Sequence, residues 1–122
     1  MAKTVCKILG VIFLIVGIAG FVSPHLLGAH LTPAHNVIHI VSGAIALYFG
    51  FAGTLSAAKI FCLVFGVVYL ALGILGMALG TGSDRIWNLV PPTVVFGQAD
   101  HGIHILLGVI FLVGGLFTKR VD

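Results

Sequence analysis

Four long runs nearly without fixed charge dominate this sequence and leave few folds open to it. Stretches nearly free of Asp, Glu, Lys and Arg cover residues 5–22 (interrupted only by Lys7, one turn in), 35–54, 60–80 and 99–117 (interrupted only by Asp100, at its start), each 18 to 21 residues long. A helix rises about 1.5 Å per residue and the hydrocarbon core of a bilayer is about 30 Å thick, so each run is long enough to span it. Backbone N–H and C=O groups find no water in lipid and must bond within the segment, which makes helices of such runs. Composition points the same way: 60% of the 122 residues are hydrophobic and 7% are charged, whereas a soluble domain keeps about a quarter of its residues charged. The same balance excludes a disordered chain, a nucleic-acid-binding protein and a disulfide framework, since the net charge of +3 is scattered and there are two cysteines. The expected fold is all-α: one transmembrane domain over 1–122, a polytopic four-helix bundle in the lipid bilayer.

Basic residues give the expected orientation. Lys3, Lys7, Lys59, Lys119 and Arg120 fall on one side of these spans and Arg85 alone on the other, so the positive-inside rule places both termini in the cytoplasm. Residues 23–34 and 81–98 then form outer loops, and 55–59 a short inner turn. Ser23-Pro24 and Ser83-Asp84 read as starts of short interfacial helices, the second anchored by Trp87 and ended by Pro91-Pro92. Thr32-Pro33 reads as the cap of the second span.

The first span resembles the third, and the second the fourth. At an offset of 56, Lys3, Cys6, Gly10, Val11, Leu14, Gly17, Ile18 and Gly20 match Lys59, Cys62, Gly66, Val67, Leu70, Gly73, Ile74 and Gly76. At an offset of 65, Ala34, Ile38, His39, Ile40, Gly43, Ile45, Leu47 and Gly50 match Ala99, Ile103, His104, Ile105, Gly108, Ile110, Leu112 and Gly115. Apolar coincidences come cheaply in such a composition, but matched Lys, Cys, His and Gly do not. The chain reads as two copies of a helical hairpin, about 1–55 and 56–122, related by a pseudo-twofold axis along the membrane normal. The recurrence also argues against a signal peptide, which Lys3, Lys7 and Gly17-Ile18-Ala19 otherwise suggest.

Gly10/Gly17, Gly43/Gly50, Gly66/Gly73 and Gly108/Gly115 are each seven residues apart. That period keeps one seam facing a neighbour in a left-handed bundle, and small residues there let helices approach closely where lipid removes the hydrophobic drive. Gly76-xxx-Gly80 adds a second close-approach motif, inside the bundle or between subunits. Cys6 and Cys62 lie one turn before Gly10 and Gly66, and are expected as buried thiols on the same seam.

All six histidines, His25, His30, His35, His39, His101 and His104, fall in the first outer loop or the first two turns of the second and fourth spans. Positions four or eleven apart share a helix face, so His35, His39, Gly43 and Gly50 form one stripe and Asp100, His104, Gly108 and Gly115 its counterpart. His35, His39, Asp100 and His104 are thereby expected to gather at the outer mouth of the bundle. Three imidazoles and a carboxylate suit a transition metal; His39 and His104, at equal depth, also suit the two axial positions of a haem. Two other readings stand beside these: a structural polar network completed by Asn36 and His101, and a pH sensor acting through imidazole protonation.

Asn36-xx-His39-xxx-Gly43 and Asp100-xxx-His104-xxx-Gly108 open the second and fourth spans. In these motifs the chain resembles the short bacterial four-helix membrane proteins grouped as domain-of-unknown-function family 4383, over nearly its whole length. The resemblance implies a multi-pass protein of the bacterial cytoplasmic membrane and brings no activity, substrate or cofactor with it. It also implies an amide-bearing residue beside the acid of the fourth span, where His101 departs. No nucleophile–base pairing or phosphate loop is legible, so a non-enzymatic role is expected. The first expectation is a self-associating structural unit or auxiliary subunit of a larger membrane complex; the competing one is a protein that holds a metal or haem in the His/Asp cluster.

Overall fold

The computed structural model describes residues 1–23, 31–90 and 94–118. It comprises α1 (Ala2–Val22), α2 (Pro33–Phe51), α3 (Leu55–Leu79), β1 (Trp87–Val90), β2 (Val94–Phe96) and α4 (Gln98–Leu116). All four helices are long and apolar enough to cross a membrane. Their outward faces carry Ile8, Ile15, Ile18, Val64, Val67, Ile74 and Leu106, while glycines and polar residues turn inward. That inversion of the soluble pattern follows from having lipid as solvent: branched side chains sit freely in hydrocarbon, and polar groups must find partners inside.

Helix starts are set by local chemistry. The Thr32 hydroxyl accepts the His35 N–H at 3.3 Å, with Pro33 in the first turn. Thr54 does the same for Ala57 at 3.1 Å, so Leu55–Lys59 is the opening turn of α3 and the connection from α2 is residues 52–54. The turn expected at 55–59 is thus helical, because a threonine cap precedes it.

The second loop also departs from expectation. In place of a short helix, β1 and β2 pair antiparallel, with Trp87 opposite Phe96 and Asn88 opposite Val95. Gly82 and Arg85 have positive φ, 76° and 51°, which ends any helix there. The aromatic and β-branched residues that follow, Trp87, Val90, Val94, Val95 and Phe96, favour strands. The interfacial helix expected from Ser23-Pro24, like His25, His30, Lys119 and Arg120, falls outside the described residues.

Packing is closest within each hairpin: α1 lies along α2 and α3 along α4, with sparser contact between the pairs. The heptad-spaced glycines occupy these two seams. A methyl group on Gly43 would stand 2.8 Å from Gly10 O, and one on Gly17 2.9 Å from Asn36 O. Correspondingly, an added methyl would stand 2.8 Å from His101 O at Gly73, 2.9 Å from Leu112 N at Gly66, 2.6 Å from Leu70 N at Gly108 and 3.2 Å from Leu63 N at Gly115. At Gly50 it would stand 3.1 Å from Lys7 N. Gly76 lies under the His101 ring and Gly80 under Arg85 O, so the Gly76-xxx-Gly80 motif is used inside the bundle.

Between the hairpins, α1 faces α3. Cys6 Sγ and Cys62 Sγ are 3.7 Å apart and buried, and the Phe13 and Tyr69 rings are 5.6 Å apart. The cysteines therefore point across the bundle, while the glycines one turn away point within the hairpins. At this end the start of α1 meets the end of α4: Ala2 N–H donates to Thr118 Oγ1 at 2.8 Å. Lys59 Nζ donates to Gly115 O at 2.6 Å and Thr118 O at 2.8 Å, satisfying carbonyls that the end of α4 leaves open.

Candidate functional site

The other end of the bundle gathers most of the buried polar side chains: His35, Asn36, His39, Asp100, His101 and His104. Their positions follow from the two caps. His35 and Asp100 each stand three residues after an N-cap, Thr32 and Gly97 respectively. Asp100 Oδ2 accepts the Gly97 N–H at 2.8 Å, where the helix dipole also favours a carboxylate. One residue further, Asn36 and His101 turn toward glycines of the partner helix, Gly20 and Gly76, so a side chain larger than hydrogen at either glycine would displace them. Another turn on come His39 and His104.

The sequence-matched residues meet matched neighbours here. His39 stacks on Phe13 of α1, with centroids 5.7 Å apart and planes 4° from parallel. His104 lies 5.5 Å from Tyr69 of α3. His35 is in contact with both sides: its ring centroid is 4.2 Å from that of His39 and 6.2 Å from that of His104. Phe96, delivered by β2, presents its edge to His104 at 4.6 Å and to His35 at 5.3 Å. His101 stands apart from these rings; its Nε2 hydrogen-bonds Arg85 O at 2.7 Å. Arg85 in turn donates Nε–H to Met77 O at 3.0 Å and Nη2–H to the same carbonyl. Together the two residues tie the end of α3 to the start of α4.

Beside these rings is a cavity of about 280 Å3, between α1 on one side and α2 and α4 on the other. Its polar end consists of His35, His39, Asp100 and His104, and its shaft of aliphatic residues including Leu9, Val16, Ile103 and Ile110. Residues at its edge, Ile12 and Leu106, are exposed on the lipid-facing surface. Within the site, His39 Nδ1 and His104 Nδ1 are buried and have no hydrogen-bond partner; Asn36 Oδ1 and His101 Nδ1 are in the same condition. A buried polar atom left unpaired costs about 1–3 kcal/mol, so such atoms call for an explanation.

Of the four residues expected to gather, all line this cavity. Among the described residues, no group of three or more His, Cys, Asp or Glu side chains is placed to hold a metal ion. A haem held between His39 and His104 would need a flat slot between two facing imidazoles, and His35 lies against both rings. Sequence reasoning missed the aromatic walls. Phe13 and Tyr69 occupy matched positions at the offset of 56 but are not identical, and Phe96 belongs to a strand in the outer loop where the sequence suggests a short helix. An offset comparison scored by residue class rather than identity brings out the first pair.

Four apolar spanning helices and a buried polar end define a polytopic α-helical membrane protein. The chain belongs to the family described as Domain of unknown function (DUF4383), which matches residues 3–117. No curated protein and no solved structure matches it.

Proposed function

We propose that this is a non-enzymatic protein of the bacterial cytoplasmic membrane that holds a small molecule in its buried His/Asp cluster. The observation that carries the reading is the pair of unpartnered imidazole nitrogens, His39 Nδ1 and His104 Nδ1, on two side chains that line a cavity. Ligand sites are typically concave, largely apolar and furnished with a few convergent polar groups, with volumes of roughly 300–1,000 Å3. A cavity of about 280 Å3 with one polar end lies just below that range. A purely structural polar network would instead be expected to satisfy its own members.

The self-associating or auxiliary-subunit reading draws on the exposed apolar faces, which lipid covers equally well, so it has no observation of its own. The equivalent contacts of Gly20/Asn36 and Gly76/His101, and of Phe13/His39 and Tyr69/His104, support a duplicated hairpin. The basic residues Lys3, Lys7 and Lys59, all near the end where the start of α1 meets the end of α4, support placing that end in the cytoplasm.

The test is to purify the protein gently from its native membrane, without a polyhistidine tag. Its absorption spectrum, metal content and bound organic molecules are then compared with those of a His39→Ala/His104→Ala variant. The reading expects about one equivalent of a molecule in the wild type and its loss from a variant that keeps its helical content and size. An empty wild type, together with a variant that changes oligomeric size, would show the cluster to be structural.

A further inference from the structure

The shape and chemistry of the cavity narrow what it holds. Its polar groups are confined to one end, and its shaft runs between α1 and α4, lined by Leu9, Val16, Ile103 and Ile110. On α4 the lining extends from Asp100 to Ile110, about 15 Å at 1.5 Å per residue. The exposed edge residues Ile12 and Leu106 put the opening on the lipid-facing side, so a molecule enters from the bilayer. The volume of about 280 Å3 accommodates a compact head and a short length of one chain, with the remainder passing out between the helices; two acyl chains do not fit. At the polar end, Asp100 Oδ2 accepts the Gly97 N–H, and no Lys or Arg is among the described residues that line the cavity, so an anionic head finds no cationic partner there. His39 and His104 line this end, and an imidazole can donate a hydrogen bond to a neutral ligand or accept one from it.

On these grounds we infer that the site binds a neutral, single-chain lipid whose head carries hydrogen-bonding oxygens, the chemistry shared by isoprenoid quinones and long-chain alcohols, entering laterally between α1 and α4. This rests on the reading of the His/Asp cluster as a ligand site. The probes are a decyl-chain benzoquinone, dodecanol, dodecanoate and a dioleoyl phosphatidylcholine, each added to delipidated protein in the same mild detergent. Binding is read from the thermal unfolding midpoint and, for the quinone, from quenching of the single tryptophan, Trp87, whose ring lies 6.3 Å from Phe96.

The quinone, the alcohol or both are expected to raise the midpoint saturably, which also tells the two sources apart. The dissociation constant should weaken at least tenfold in His39→Ala/His104→Ala and in the cavity-filling Val16→Phe, which leaves the polar end intact. Preference for dodecanoate or the diacyl lipid, or neutral binding unaffected by Val16→Phe, overturns the inference. If the protein from its own membrane carries a metal or water-soluble molecule, the ligand site stands and this inference falls. If it carries nothing and no probe binds, both fall.

Discussion

Gly108→Ala isolates the packing that holds α3 to α4. The added methyl would stand 2.6 Å from Leu70 N and 2.8 Å from Leu70 Cα and Cβ, where ordinary contacts are about 3.5–4.0 Å. Two of those atoms are backbone and cannot rotate away, so the helices must part by about 1 Å or tilt. Overpacking of this kind costs about 1–3 kcal/mol. Gly102→Ala, on the same helix, is the matched control: nothing lies within 4 Å of its added carbon, and it gains only the helix preference of Ala over Gly, about 0.5–1 kcal/mol. That preference applies to both variants and cancels, so the same chemical change six residues apart should differ in stability by about 1–3 kcal/mol. Equilibrium unfolding by SDS from mild-detergent micelles, followed by helical circular dichroism, measures both. Equal stability of the two variants would refute the argument that Gly108 marks a close backbone approach.

Other expected outcomes follow from single contacts. A mild oxidant should join Cys6 to Cys62, 3.7 Å apart, giving a faster-migrating monomer on non-reducing gels that Cys6→Ser abolishes; cross-linking only between chains would contradict the α1–α3 arrangement. Lys59→Met removes two charged hydrogen bonds to the end of α4 and should destabilise by about 1.5–3 kcal/mol in the same SDS assay; no loss would mean those carbonyls find other partners. Phe96→Ala takes away the ring that covers His35 and His104 and should cost about 3–5 kcal/mol while loosening any bound molecule, as followed by its retention through gel filtration.

The four spans were legible because lipid leaves a strong mark on a sequence: long uncharged runs admit one backbone solution. Thr32-Pro33 was readable as a cap because capping depends on neighbours in sequence, and Thr32 does accept the His35 N–H. Thr54 carries the same signal, but inside an apolar run a cap does not stand out from the span. The strands around Phe96 were obscured by Ser83-Asp84, a helix-start pattern that Gly82 and Arg85 override with left-handed backbone. Helical periodicity put His35 with His39 and Asp100 with His104, but it cannot say what a face packs against. That Gly20 and Gly76 seat Asn36 and His101, or that Cys6 turns from its neighbouring seam toward Cys62, depends on how the hairpins are set against each other. The cavity is likewise a property of three helices together and leaves no mark on any one of them.

The most direct test reads the two unpartnered nitrogens themselves. Protein labelled with 15N-histidine would be recorded by NMR as gently extracted from its own membrane, and again after exhaustive delipidation. If the cluster holds a molecule, the Nδ1 signals of His39 and His104, assigned by single substitutions, show hydrogen bonding in the first sample and shift together on stripping, while His101 Nε2, bonded to Arg85 O, stays where it is. Identical His39 and His104 signals in the two samples would contradict the account and leave these imidazoles as part of the packing alone.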